Sequence, residues 1–195
     1  MANTAAPNGF AQASGYGSAP TYEQTTRLIA YNNTTPIFFG DAVIPLASGY
    51  IAQATASTVQ MAGIFVGCKY LSTSQKRTVW SNYWPGSDCT TDVEAYIISD
   101  PNAVFKVQAG GSSTAIGVAD IGSNVNLGVG TGNTATGISG MYVDQTTLNT
   151  TNTLPFRVLS LVTAPPGANG SDITTGYNYV LVGFNNVSAK QLTGI

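Results

Sequence analysis

Residues 103–108, with the sequence Ala-Val-Phe-Lys-Val-Gln, decide the fold because their apolar and polar side chains alternate. In an extended chain Phe105 and Val107 fall on one side, and Lys106 and Gln108 fall on the other. Strands with one buried and one solvated face are typical of antiparallel sheets. The sequence therefore predicts that antiparallel sheets form the basis of this fold.

Similar strand-forming segments recur along the chain, where short runs of β-branched and aromatic residues are separated by Gly, Pro, Asn and Asp. Together with residues 103–108, these runs predict about ten strands. The further runs are residues 27–31, 42–46, 59–71, 78–83, 93–99, 124–129, 138–143, 155–162 and 177–184. One short helical turn is expected within 114–121, where Gly117 interrupts the best helical candidate. We predict an all-β fold: an antiparallel β-barrel or sandwich, jelly-roll or tulip-like.

Residues 1–24 differ from the rest of the chain, since they are rich in Ala, Gly, Ser and Asn and show no periodicity. Phe10, Tyr16 and Tyr22 stand alone within this segment. Isolated aromatic rings are uncommon in solvated tails, so we expect an extended N-terminal arm whose rings contact a partner. Residues 25–195 are expected to form a single β-domain, with a Gly-rich lobe at 110–140.

The composition excludes several classes of function. The chain has 195 residues, 7 of them basic and 9 acidic, and its net charge of -2 gives no basic excess for binding nucleic acid. It contains no histidine, which excludes Ser-His-Asp, Cys-His and His-metal chemistry. There is no signal-like start and no apolar run long enough to span a membrane. We expect synthesis in a cytoplasm, with Cys68 and Cys89 as free thiols, and the alternative is a disulfide formed after release into an oxidising medium.

The densest group of acidic residues comprises Asp88, Asp92, Glu94 and Asp100. Paired carboxylates perform glycoside hydrolysis or bind Ca²⁺, but this spacing matches no known loop motif. We interpret these residues as solvated loop acids, and we expect no enzymatic activity, no cofactor and no bound metal. A hydrolase that uses Asp88, Asp92 or Glu94 remains the least favoured alternative.

Three aromatic residues, Trp80, Tyr83 and Trp84, cluster within five positions. They fit a stacking platform for a sugar. They also fit core or interface anchors, because alternate residues of a strand share a face and Trp80 and Trp84 then lie together. We favour the second interpretation and expect an interface with a partner or a second subunit.

Several sequence blocks, taken in order, resemble one known family. The blocks are Pro-Asn-Gly-Phe at 7–10, Gly-Asp-Ala-Val at 40–43, Gly-Ile-Phe-Val-Gly-Cys-Lys-Tyr at 63–70, Tyr-Ile-Ile-Ser-Asp-Pro-Asn-Ala-Val-Phe at 96–105, Gly-Ile-Ser-Gly-Met-Tyr-Val-Asp at 137–144 and Arg-Val-Leu-Ser-Leu-Val at 157–162. Together they cover most of the chain, and it resembles the capsid decoration, or cement, proteins of tailed bacteriophages.

This resemblance implies a small β-barrel that sits as a homotrimer on the outside of an icosahedral capsid. It also implies an N-terminal arm on the major capsid protein, a role in stabilising the shell against internal DNA pressure, and no catalytic residues. We therefore expect a structural virion protein on the capsid exterior, made in the host cytoplasm. The alternative is a carbohydrate-binding or host-attachment module on the virion surface that uses Trp80, Tyr83 and Trp84.

Overall fold

The computed structural model describes residues 2–15, 19–20 and 23–190, and within these ranges it contains twelve strands in two sheets. A single 3-10 turn at Val118–Asp120 confirms the short helical turn expected within 114–121. The strands are β1 (Ala11–Ser14), β2 (Thr25–Ile29), β3 (Ala42–Pro45), β4 (Ile51–Gln53), β5 (Gly63–Ser72), β6 (Arg77–Ser81), β7 (Val93–Ile98), β8 (Val104–Gly110), β9 (Asn124–Gly128), β10 (Tyr142–Asn149), β11 (Phe156–Leu161) and β12 (Tyr179–Phe184).

Five strands form a closed barrel in the order β8, β10, β9, β11 and β12, which confirms the predicted all-β barrel. Closure comes from β12, which pairs antiparallel with both β11 and β8. The short contact between β8 and β10 is parallel, whereas the other pairings in the barrel are antiparallel. Strand β1 adds to β8 as a further antiparallel neighbour. The Gly-rich segment 110–140 contributes strand β9 to this barrel.

The side chains of β8 alternate between the barrel core and the outside as the sequence predicts, with one exception. Phe105 and Val107 are fully buried in the barrel core, and Lys106 is exposed. Gln108, expected on the solvated face, is buried instead, because the N-terminal segment lies over it. Its amide accepts a hydrogen bond from the Ala6 N–H and donates one to the carbonyl of Thr4. The N-terminal segment therefore satisfies a polar group that the strand pattern assigns to solvent.

The second sheet has the order β2, β7, β5, β3 and β4, with β6 paired to β5. The ten-residue strand β5 pairs with β3 near its beginning and with β6 along its second half. Its apolar face packs a separate core, in which Phe65, Trp84 and Ile97 are fully buried. The whole sheet, β2 to β7, is inserted in the chain between β1 and β8 of the barrel layer.

The N-terminal residues are extended, but they pack on the barrel. Phe10 is only 2% exposed, and its ring stacks on Phe156 with a centroid distance of 4.6 Å. The expectation that Phe10 contacts a capsid partner is therefore wrong, because this ring belongs to the barrel core. Tyr16 and Tyr22 lie outside the described residues.

Candidate functional site

The barrel and the second sheet are joined at a hydrogen-bonded junction. The Phe10 N–H donates to the Gly40 carbonyl at 2.9 Å, and the Gly9 N–H donates to the Met141 carbonyl at 3.1 Å. Gly9 has a φ of 76°, and a Cβ there would lie 2.6 Å from the Cβ of Ser139, so only glycine fits. Several blocks that carry the family resemblance meet here, namely residues 7–10, 40–43, 63–70 and 137–144.

Asp41 is the polar centre of this junction and is almost fully buried. Its carboxylate accepts hydrogen bonds from the Phe38 N–H, the Gln53 amide and the Ser139 hydroxyl. Burial raises the pKa of Asp41 above its usual value, and these hydrogen bonds act in the opposite direction. Because every described contact of the carboxylate is internal to the fold, Asp41 is a structural brace between the two layers.

Two apolar side chains remain exposed at the junction. Phe39 and Ile138 are partners in an isolated parallel bridge, and each is 39% exposed. Beside Phe39 lies a groove of about 260 Å³, here called the junction groove, whose apolar lining includes Ala11, Ile64 and Val66. The junction therefore presents an apolar surface to solvent.

The aromatic cluster predicted from the sequence does not form one surface. Trp84 is fully buried, and its ring meets Tyr70 edge to face at 5.3 Å. Tyr83 stacks on Phe38 at 5.5 Å, whereas Trp80 is 66% exposed. Strand β6 ends at residue 81, so the alternation that would place Trp80 and Trp84 on one face stops between them. Trp84 is thus a core residue, and the three rings form neither an interface nor a sugar platform together.

Trp80 instead lies in a row of side chains that crosses four strands of the second sheet. Leu28 on β2 is opposite Glu94 on β7, Glu94 is opposite Lys69 on β5, and Lys69 is opposite Trp80 on β6. Directly opposite residues share a face, so these side chains lie together on the outside of the sheet. The Lys69 ammonium is 3.2 Å from the Glu94 carboxylate and 5.4 Å from the centre of the Trp80 ring.

The Trp80 indole is stacked on Tyr96, with ring centroids 5.3 Å apart and ring planes 14° from parallel. Gly67 on β5 is the cross-strand partner of Tyr96. A Cβ at Gly67 would lie 2.9 Å from the Ser81 carbonyl, closer than normal contact. We call Trp80, Tyr96, Lys69 and Glu94 the Trp80 face.

Tyr96 and Glu94 shift each other's pKa within the Trp80 face. Burial, together with the hydrogen bond to Glu94, raises the pKa of the Tyr96 phenol. The hydrogen bonds from Tyr96 and Lys69 lower the pKa of Glu94. The Tyr96 phenol therefore stays protonated beside a charged Glu94 carboxylate. Sequence reasoning missed Tyr96, although its alternation with buried neighbours in 93–99 places it on the solvated face with Glu94.

The acidic residues considered as catalytic candidates each have a structural partner. The Ser72 hydroxyl is the main cause that lowers the pKa of Asp88 to about 2. Asp92 accepts hydrogen bonds from a backbone N–H and a tyrosine hydroxyl, and Asp100 accepts one within its own turn. Glu94 belongs to the Trp80 face. Among the described residues no group of three or more acidic or cysteine side chains is placed to hold a metal ion.

Both cysteines are free thiols; Cys68 lies in the core of the second sheet, and Cys89 packs against that core. Cys68 is fully buried, and Cys89 is half-buried. Burial raises the pKa of the Cys68 thiol to about 12. Since the thiolate is the reactive form of cysteine, Cys68 is a packing residue and a poor nucleophile.

Comparisons with known proteins identify no relative. No family model matches the chain, and neither a curated protein nor a solved structure matches it. Within the ranges that the structure describes, no helix has the length and apolar character needed to cross a membrane. The geometry of the chain itself is therefore the ground for assigning a function.

Proposed function

We propose that this chain is a structural virion protein that binds the outside of an icosahedral bacteriophage capsid and stabilises the shell against internal DNA pressure. Its partner is the major capsid protein. The observation that carries the proposal is the exposed pair of Phe39 and Ile138 beside the apolar junction groove. Exposed apolar patches of this kind mark surfaces that bind other proteins.

The backbone around this pair supports a docking role. The Phe39 N–H donates to the Gly137 carbonyl at 2.9 Å, and the Ser139 N–H donates to the Phe39 carbonyl at 3.0 Å. A surface held in this way loses little conformational freedom on binding. Because the pair bridges the two sheets, a coat subunit bound there contacts both layers at once. The order of the sequence blocks that resemble cement proteins supports the same partner.

The proposed assembly is a homotrimer on the capsid surface, formed after synthesis in the host cytoplasm. Strand β2 pairs with β7 along one edge, and its first four residues are exposed. Exposed edge strands favour pairing with other chains unless they are covered. Three linked copies also raise the overall affinity for a lattice by about 10² or more, without stronger individual contacts.

Sedimentation with capsids tests the proposal. Heads of the phage that encodes the chain are stripped of this protein and mixed with the intact protein or with a Phe39→Ser, Ile138→Ser double variant. We expect the double variant to bind at least about tenfold more weakly, since it removes two apolar contacts. The control is Leu159→Ser on β11, an equally exposed apolar residue away from the junction.

Equal occupancy of the double variant and the intact protein would show that the junction does not hold the capsid. Failure of the intact protein to sediment with stripped heads would overturn the capsid function itself. Light scattering on the purified protein tests the trimer separately, because a stable monomer that saturates capsids contradicts only the assembly state.

A further inference from the structure

The Trp80 indole has the surface properties of a ligand platform. One of its faces is stacked on Tyr96 and the Lys69 ammonium lies 5.4 Å from the ring centre, yet 66% of the residue stays exposed to solvent. The only other tryptophan, Trp84, is fully buried. The stacking on Tyr96, with ring planes 14° from parallel, restricts the rotation of the indole. The exposed ring is therefore held in position, and binding on it costs little side-chain entropy.

A groove of about 340 Å³ opens beside this ring, and its mostly apolar lining includes the polar side chains of Ser81 and Asn82. The Ser81 hydroxyl accepts a hydrogen bond from the Tyr83 N–H, which leaves its own proton free to donate. The Asn82 amide nitrogen donates to the Thr136 carbonyl at 2.8 Å, so its side-chain oxygen has a fixed direction. The groove thus offers a hydroxyl donor and an amide oxygen acceptor next to an aromatic face.

The charge of the groove decides which ligand class fits. None of its described lining side chains carries a formal charge at neutral pH. The nearest cation, Lys69, is paired with Glu94 at 3.2 Å. A phosphate or a carboxylate would therefore find no unpaired partner among these residues, whereas neutral hydroxyl groups match the available donor and acceptor.

We propose that the Trp80 face and its groove bind a neutral polysaccharide. One pyranose ring stacks its C–H face on the solvent-exposed part of the Trp80 indole, and its hydroxyl groups contact Ser81 and Asn82. This activity goes beyond capsid binding, because it uses the outer face of the second sheet and not the Phe39 and Ile138 pair. On a virion it would attach the particle to glycans of a cell surface.

Native gel electrophoresis through immobilised polysaccharides tests the assignment. The gels contain dextran, mannan or mixed-linkage β-glucan as neutral probes, and alginate as the anionic probe. We expect at least one neutral polysaccharide to retard the intact protein. Trp80→Ala should weaken that retardation by about tenfold or more, and Trp80→Phe, which keeps an aromatic face, by about threefold or less. The control is Tyr31→Ala, which removes an exposed ring outside this groove and should leave the retardation unchanged.

A second readout uses the two tryptophans directly. Because Trp80 is exposed and Trp84 is buried, acrylamide should quench the fluorescence of Trp80 far more than that of Trp84, and a bound polysaccharide should protect Trp80 from quenching. The assignment is overturned if no neutral probe retards the protein, if Trp80→Ala is retarded like the intact protein, or if only alginate acts. It is also overturned if stripped capsids, and no polysaccharide, protect Trp80, since the face is then a protein interface. The Phe39→Ser, Ile138→Ser variant should still bind the polysaccharide, which separates this result from the capsid proposal.

Discussion

The hydroxyl of Ser139 donates a hydrogen bond to the buried carboxylate of Asp41, 98 residues earlier in the chain. The same hydroxyl oxygen accepts the Met141 N–H at 2.9 Å. One small side chain therefore connects the segment after β9 with the loop before β3, where the barrel and the second sheet meet. An unpaired carboxylate at this depth would be costly, so the contact specifies how the two layers join.

Replacing Ser139 with Ala should lower the free energy of unfolding by about 1–3 kcal/mol, because it leaves a buried acceptor without its partner. Urea unfolding followed by circular dichroism measures the change. The matched control is Ser160→Ala, whose hydroxyl makes only a local contact with Leu161, and it should change stability by less than about 0.5 kcal/mol. Equal effects of the two substitutions would show that the Ser139 contact is not specific.

The stability of the protein should depend on pH through Asp41 in a direction unusual for a carboxylate. Burial raises its pKa above the ordinary value of 3.8, so the folded state binds this proton more readily than the unfolded state does. The contribution of Asp41 to stability is therefore full below pH 3.8 and is lost as the pH rises through the raised pKa. Denaturant unfolding between about pH 3.5 and about pH 7 should show that the intact protein loses stability relative to Asp41→Asn. A gain in stability of the intact protein relative to Asp41→Asn as the pH rises would contradict the direction of the shift.

Phe10→Ala should destabilise the protein by about 3–5 kcal/mol, the usual cost of removing a buried phenylalanine. The ring fills space between Phe105 and Phe156 in the barrel core. Thermal unfolding measures the loss, and exposed Leu28→Ala is the control for a general effect of truncation. If Phe10→Ala unfolds like the control, the N-terminal segment does not pack in solution as described.

Cys68 should resist thiol reagents until the protein unfolds. Its pKa of about 12 leaves roughly one thiolate in ten thousand molecules at about pH 8. Cys89 is half-buried and should react first. Labelling with a disulfide reagent, with Cys89→Ser and Cys68→Ser variants, assigns each rate. Fast labelling of the Cys89→Ser variant in native conditions would place Cys68 nearer the surface than the structure does.

The barrel could be predicted from the sequence because its strands are long enough to show alternation. Strand β8, with Phe105 and Val107 buried and Lys106 exposed, is the clearest case. Strands β1 and β4 escaped prediction, since four and three residues are too few for a period to appear. The burial of Gln108 depends on contacts with residues more than a hundred positions away, and no local pattern contains that information.

The candidate site was predictable only in part for a similar reason. The sequence singled out Trp80, which the structure leaves exposed, but it grouped Trp80 with Trp84 by continuing a strand that ends at residue 81. The true neighbour, Tyr96, becomes visible only when the register between β5 and β7 places it opposite Gly67. Cross-strand register is set by the whole sheet, so a single sequence does not reveal which exposed side chains meet.

The insertion of the second sheet between β1 and β8 determines the order in which the two layers are completed on the ribosome. The strands of the second sheet are contiguous in the chain and are all available once residue 98 has left the exit tunnel. The barrel closes only when β12, which ends at Phe184, has emerged. Until then one edge of β8 has no partner within its own nascent chain. Neighbouring nascent chains on one messenger RNA therefore present matching open edges, and this edge is where exchange of β12 between copies would begin.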